Sequence, residues 1–187
     1  SPSEVNQHKA WSSVIELGSG SGLLGIGLLK STEIFAAPLD ELKSNSEKFY
    51  AFTDHNDVVL RRIKQNLILN NLSVSNSGGN IEVAALDWTE PEACTLVKDS
   101  GRSFDLILAS DVIFDPWLVE QFVQTLATLF RVSKSTDEPD HRQPDCYVCC
   151  AERNMDILKQ FENCLLVAQL EGHVVERIER ARWFTAM

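Results

Sequence analysis

Basic side chains are scarce in this sequence. Its 17 Lys and Arg face 27 Asp and Glu, for a formal charge of −10. A tight, sequence-independent grip on nucleic acid needs clustered cations against phosphate, and no cluster stands out, so direct nucleic-acid binding is not expected. A basic or lysine-bearing partner suits the charge better, because net charge acts chiefly through solubility and long-range steering. Long apolar runs are missing as well. The stretch from Phe104 to Phe114 is interrupted by Asp105 and Asp111 and falls far short of the roughly 20 apolar residues that span a bilayer. Ser1 to Lys9 is polar and lacks the basic-then-apolar layout of a secretory signal. The expected setting is therefore cytoplasmic, away from any membrane.

Regularly spaced cysteine is also lacking. Cys94, Cys146, Cys149, Cys150 and Cys164 are an odd number without a pattern, which in a reducing compartment implies free thiols. Cys146 and Cys149 form a CxxC, but one such pair cannot complete a four-ligand zinc site, so no metal is expected. The Cys146–Ala151 block reads instead as a buried strand in which Cys serves as a small hydrophobe. Hydrophobic residues make up 44% of 187, enough for one domain with a sizeable core. No internal repeat or interdomain linker is visible, and residues 1–187 read as a single, monomeric domain.

What the sequence does contain is an alternation of short apolar blocks with longer amphipathic stretches, the pattern of strand-helix units around a largely parallel sheet. Strands are expected at Val14–Leu17, Phe49–Thr53, Ile81–Ala85, Phe104–Ala109 and Cys146–Ala151. Helices are expected at Leu23–Lys30, at Val58–Leu69, from Pro116 onward, and at Asp156–Leu170 with Gly172 as a stop. Val174–Ile178 and Trp183–Ala186 are expected to pair as a closing antiparallel hairpin. Ala36–Lys48, Ser73–Asn80 and Ser133–Pro144 are polar, turn-rich loops.

The first strand runs into Glu16-Leu17-Gly18-Ser19-Gly20-Ser21-Gly22 and then a helix. Glycines there let the backbone turn sharply and let a ligand touch the main chain. The dinucleotide fingerprint G-x-G-x-x-G wants a small residue at position 23, and Leu23 stands there. The spacing G-x-G-x-G with Glu16 on the strand resembles that of Rossmann-type S-adenosylmethionine enzymes, which implies Gly18, Ser19, Gly20 and Gly22 against the cofactor and Glu16 under its amino-acid end; taken alone, the block also suits a structural turn with a chance acid beside it.

Two further acids follow strands. Asp54 in Thr53-Asp54-His55 is placed to accept from ribose hydroxyls; taken alone, it also suits a helix cap. It lies 36 residues beyond Gly18, more than the usual roughly 20, so the intervening insertion must loop out. Asp87 in Leu86-Asp87-Trp88 can accept from an adenine amino group while Trp88 walls the ring. Singly, these two suit a solvated loop acid and a core filler equally well.

With these blocks in hand the sequence resembles the seven-β-strand protein lysine methyltransferases that carry (Asp/Glu)-x-x-(Tyr/Phe) after the fourth strand, here Asp111-Val112-Ile113-Phe114. The ordered blocks are Val14 to Leu23, Asn66 to Asn71, Leu86-Asp87-Trp88, and Ala109-Ser110-Asp111-Val112-Ile113-Phe114. Together with Tyr147 to Asn154 they are most similar to the elongation factor 2 lysine methyltransferases. The resemblance implies a Rossmann-like α/β fold with a seven-stranded, mostly parallel sheet, a C-terminal antiparallel hairpin and helices on both faces. It also implies S-adenosylmethionine as cofactor, a protein substrate with elongation factor 2 as candidate, and Ser110 beside the cofactor. Members of the group carry more chain before the glycine turn, so the sequence reads as the catalytic C-terminal part of a longer protein.

Methyl transfer from a sulfonium needs alignment and a neutral amine more than strong acid-base machinery. By resemblance, Asp111 orients the incoming lysine ammonium and helps it shed its proton, while Phe114 packs on the lysine stem and offers its ring face to the cationic region. Where relatives have Tyr, Phe114 lacks the hydroxyl, and any role of that hydroxyl is not carried over. Asp115 and Trp117 are candidates for the substrate entrance. Two other classes stay in view: a noncatalytic binding protein on the same fold, and a nicotinamide-linked oxidoreductase, which Leu23 disfavours.

Overall fold

Side chains along the first strand, β1 (Ser13–Leu17), alternate between two faces, and both faces are buried. A strand covered on both sides belongs in the middle of a parallel sheet. The computed structural model, which describes residues 11–31, 48–74, 80–98, 103–133 and 143–170, places β1 there. With β2 (Phe49–Asp54), β3 (Ile81–Ala85), β4 (Leu106–Ser110) and β5 (Asp145–Cys149) it forms a sheet of order β3-β2-β1-β4-β5, every pairing parallel.

Val14 is in register with Tyr50 on one side and Leu106 on the other. These three, with Phe52 and Leu108, pack beneath Ile26 of α1 (Leu23–Lys30) and Leu60, Ile63 and Leu67 of α2 (Asp57–Leu69). Ile15, Leu17, Ala51, Ile107 and Ala109 face the other way. They meet Leu96 and Val97 of the one-turn α3 (Thr95–Lys98), Phe122, Leu126 and Leu129 of α4 (Pro116–Ser133), and Ile157 of α5 (Met155–Val167). The result is three layers, helices on both faces of a parallel sheet.

Local chemistry sets the helix ends. Asn56 caps α2 by accepting from the amides of Val58 and Val59, which supplies partners for donors the helix itself leaves open. At the other end Asn71 takes φ 59, the Leu72 amide reaches the Leu67 carbonyl and the Asn71 amide the Ile68 carbonyl, a Schellman stop. Gln169 repeats the device after α5, with φ 57 and Leu170 bonded back to Leu165. α5 thus stops by this turn, three residues before Gly172, the expected stop.

Other expectations shift for identifiable reasons. The fourth strand begins at Leu106, not Phe104, because Asp105 is occupied in clamping the start of β1: one carboxylate oxygen accepts from the amides of Ser12 and Ser13 and from the Ser12 hydroxyl. Ser133 is not loop but the buried last residue of α4, its hydroxyl accepting from the Phe104 amide at 3.2 Å. The fifth strand is the edge of the described sheet, and Cys149 is exposed rather than buried. The described residues contain five strands. Those proposed for the antiparallel hairpin, 174–178 and 183–186, lie outside the described residues, as does most of the three expected loops. Among the described residues no helix is long and apolar enough to cross a membrane.

Candidate functional site

From β1 the chain moves outward through β2 to β3, and from β4 outward in the other direction to β5. In open α/β sheets ligands bind at the carboxyl ends of the strands beside such a reversal, here the one between β1 and β4. The glycine turn leaves β1 there. Gly18, Gly20 and Gly22 have φ of 63°, 55° and 78°, the left-handed region in which a Cβ is costly. A Cβ on Gly18 would stand 2.9 Å from Val112 Cγ1 and 3.2 Å from Trp88 Cζ2, whereas one on Gly20 would meet nothing within 4 Å. Gly18 is therefore glycine for packing, and Gly20 presents bare main chain to open space.

Ser19 ties the turn to the adjacent strand. Its amide donates to the Thr53 carbonyl at 2.8 Å, and its hydroxyl accepts from the Thr53 amide at 3.0 Å. Directly after Thr53, the Asp54 carboxylate accepts from the Gly20 amide at 3.3 Å and from the Asn56 amide at 3.1 Å. Capping of α2 falls to Asn56, which leaves Asp54 directed at the glycine turn. His55 Nδ1 lies 3.5 Å from the Asp54 carboxylate.

Glu16 sits differently from the other acids. It shares the face of Val14, so its side chain enters the layer under α1 and is 2% exposed. Its carboxylate accepts from the Tyr50 hydroxyl at 2.6 Å and from the Gly25 amide. Burial pushes its pKa up to about 7, against the opposing pull of those two hydrogen bonds. Burial, then the neighbouring Glu16 carboxylate, pushes the Tyr50 phenol up as well, so Tyr50 stays a donor. Gly25 is glycine because a Cβ would lie 2.4 Å from Phe52 and 2.5 Å from the Glu16 carboxylate. In this position the Glu16 carboxylate ties α1 to β2.

Asp87, after β3, accepts from the amide and hydroxyl of Thr89 at 2.8 and 2.7 Å. The Thr89 hydrogen bonds hold its carboxyl below the usual range, with a smaller contribution from His55. Trp88 is half-buried, its ring 5.0 Å from that of Phe122 and its edge against Gly18. Position 87 thus faces solvent while Trp88 underlies the turn.

Beyond β4, Ser110 is exposed at the strand end, and Asp111 takes φ 58, a conformation Asp tolerates better than most residues. Its amide donates to the Cys149 carbonyl at 2.7 Å, fixing the main chain between the tips of β4 and β5. The Asp111 carboxylate is paired with Arg153 at 2.8 Å, and both side chains are at least half exposed. The cap at the start of α4 is Asp115, which accepts from the Trp117 amide at 2.9 Å, so Asp111 is not spent on it. Phe114 and Trp117 are 59% and 74% exposed. Arg153 was not singled out by sequence reasoning: it lies 42 residues from Asp111, and no local spacing signals the pair. Among the described residues no cluster of metal-ligating side chains is present.

The profile of one family, described as lysine methyltransferase, matches residues 3–165, a range that includes the glycine turn and the acids at the strand ends. The chain belongs to the lysine methyltransferase family. Among its relatives, protein-lysine N-methyltransferase EEF2KMT of Bos taurus is 28% identical over 164 residues, 79% of this chain and 42% of that protein. Protein-lysine N-methyltransferase EFM2 of Saccharomyces cerevisiae is 30% identical over 130 residues, 67% of this chain and 27% of that protein. The chain spans less than half the length of these curated relatives. A ribosomal protein L11 methylase from Lactobacillus delbrueckii subsp. bulgaricus superposes with a TM-score of 0.53 at 20% identity, over 95% of this chain and 69% of that one, and shows the shared methyltransferase fold. The family uses S-adenosylmethionine, and the residues at the strand ends suit it: Gly20 leaves room for a ligand against the main chain, and Asp54 is a carboxylate at the tip of β2.

Proposed function

We propose that this chain is the catalytic part of an S-adenosylmethionine-dependent protein-lysine N-methyltransferase, with elongation factor 2 as acceptor and the cytoplasm as its setting. The observation that carries the reading is the joint placement of the Gly18–Gly22 turn, Asp54 and Asp111 at the carboxyl ends of β1, β2 and β4. Bound there, S-adenosylmethionine supplies a methyl group on a positively charged sulfur, open to in-line attack by an amine.

The chain's own residues do the rest. Asp54 accepts from ribose hydroxyls, Asp87 and Trp88 flank the base, and Ser110 borders the same cleft. Glu16 acts beneath the main chain that touches the cofactor. Asp111 receives the lysine ammonium, and Phe114 covers its aliphatic stem. Because the Asp111 carboxylate is half exposed, a proton leaving the amine has a short route to water, and the neutral amine is the nucleophile.

The test is calorimetric titration of the chain with S-adenosylmethionine and with NAD, followed by incubation with radiolabelled methyl donor and purified elongation factor 2. Binding of the methyl donor but not of NAD, with label on a lysine, is expected. Absence of methyl-donor binding overturns the reading, and binding without labelled product favours a noncatalytic role. Asp54→Ala is expected to weaken cofactor binding at least tenfold, whereas Asp111→Ala leaves binding within about twofold and lowers transfer. A fully active Asp111→Ala removes that residue from the mechanism.

A further inference from the structure

The acceptor carboxylate already has a cation on it. Arg153 lies just beyond β5, in the stretch leading to Asn154, which caps α5 through the Asp156 amide. Gln160 of α5 donates to the Pro116 carbonyl at 2.9 Å, so this segment is held against the start of α4 and beside the Asp111–Phe114 loop. The guanidinium reaches Asp111 at 2.8 Å. The two halves of Asp111 are treated differently. Its main chain is locked to β5 through the Cys149 carbonyl, while its side chain is in an ion pair whose members are 64% and 50% exposed. Such a pair is weak and exchanges readily with water or another cation.

We infer that Arg153 is an internal stand-in for the substrate ammonium, occupying Asp111 when no lysine is bound and yielding it when one enters. The inference rests on the acceptor role given to Asp111 above. A lysine ε-ammonium and a guanidinium compete for one carboxylate, and one oxygen of Asp111 is already satisfied by Arg153. Arg153 thereby raises the threshold for acceptors: a lone lysine must displace it at a cost, whereas a lysine presented by a docked protein brings further contacts to offset that cost. It also keeps the half-exposed carboxylate from recruiting stray cations. Arg153 is a positioning residue that acts through Asp111, not a group that touches the methyl donor.

The experiment compares the unaltered chain with Arg153→Gln, Arg153→Lys and Asp111→Asn, each loaded with S-adenosylhomocysteine and titrated with Nα-acetyl-lysine N-methylamide by NMR. Arg153→Gln is expected to bind the probe about threefold more tightly, the factor an exposed ion pair is worth, and to lower KM for elongation factor 2 with kcat within about twofold. Arg153→Lys retains a competing cation and is expected to match the unaltered chain, while cofactor affinity stays constant throughout. Unchanged or weaker probe binding in Arg153→Gln overturns the inference, provided Asp111→Asn weakens the probe. If Asp111→Asn has no effect on the probe, the acceptor role of Asp111 falls and takes the inference with it.

Discussion

Replacing Glu16 by Gln tests whether the fold raises the pKa of the acid beside the glycine turn. The carboxyl moves from an ordinary value of 4.5 to about 7, burial being the main cause. A raised acid contributes stability that is complete below its unfolded pKa and is lost as pH climbs through its folded one. The gap from 4.5 to about 7, at about 1.4 kcal/mol per pH unit, makes the full loss about 3 kcal/mol. Glu16 is 2% exposed, so little of this is screened by solvent. Gln keeps an oxygen to accept from Tyr50 but has no charge to bury. The isoelectric point of about 4.8 discourages work below pH 5.5. Integrated between pH 5.5 and 8.5, the stability difference, Gln minus Glu, is expected to grow by about 2 kcal/mol and to level off above pH 8. Urea unfolding followed by tryptophan fluorescence at half-unit pH intervals measures this. Taking the difference removes the background from the other acids of a chain with charge −10. A flat difference would refute the argument, and one that shrinks with rising pH would mean that the fold favours the ionised carboxylate.

Two further perturbations address the packing. Gly25→Ala drives a Cβ to 2.4 Å from Phe52 and 2.5 Å from Glu16 and is expected to cost about 1–3 kcal/mol by overpacking; Gly27→Ala, two residues on in the same helix and with nothing within 4 Å, is expected to gain about 0.5–1 kcal/mol. Equal effects of the two in thermal unfolding would show that the layer under α1 yields freely. Asn56→Ala removes the cap of α2 and is expected to cost about 1 kcal/mol, with little loss of cofactor affinity because Asn56 donates to Asp54 through its main-chain amide, which Ala keeps. An affinity loss larger than that of Asp54→Ala would reverse this order of importance.

Much of the layering was readable from the residues because strand and helix periods were clean. Leu23–Lys30 and Ile81–Ala85 have the expected bounds, and Pro116 opens its helix as expected. Boundaries slipped where a polar side chain did structural work at a distance. Asp105 looks like an interruption of a strand but clamps the start of β1, and Ser133 looks like loop but serves Phe104. Glu16 shows a signal that was present and underused: residues two apart on a strand share a face, and Val14 beside Glu16 on the buried side implies an inward carboxylate. Its partner Tyr50, 34 residues away, belongs to the pairing of β1 with β2 and has no local signature. The same holds for Arg153, whose contact with Asp111 exists only because β4 and β5 end side by side.

The reversal between β1 and β4 has an evolutionary consequence. On the proposed assignment, the turn, Asp54 and Asp87 all hang from β1, β2 and β3, while Asp111, Phe114, Trp117 and Arg153 hang from β4 and β5. Apart from Ser110, donor and acceptor chemistry thus occupy separate halves of one sheet, joined by main-chain bonds between β1 and β4 and by the packing of Val112 on Gly18 and of Trp88 on Phe122. Positions 114, 117 and 153 are exposed and can drift between relatives without disturbing the donor half, whereas Val112 is held to it by Gly18. A variant carrying a relative's residues at those three exposed positions should retain this chain's cofactor affinity while adopting the other protein's taste for acceptors.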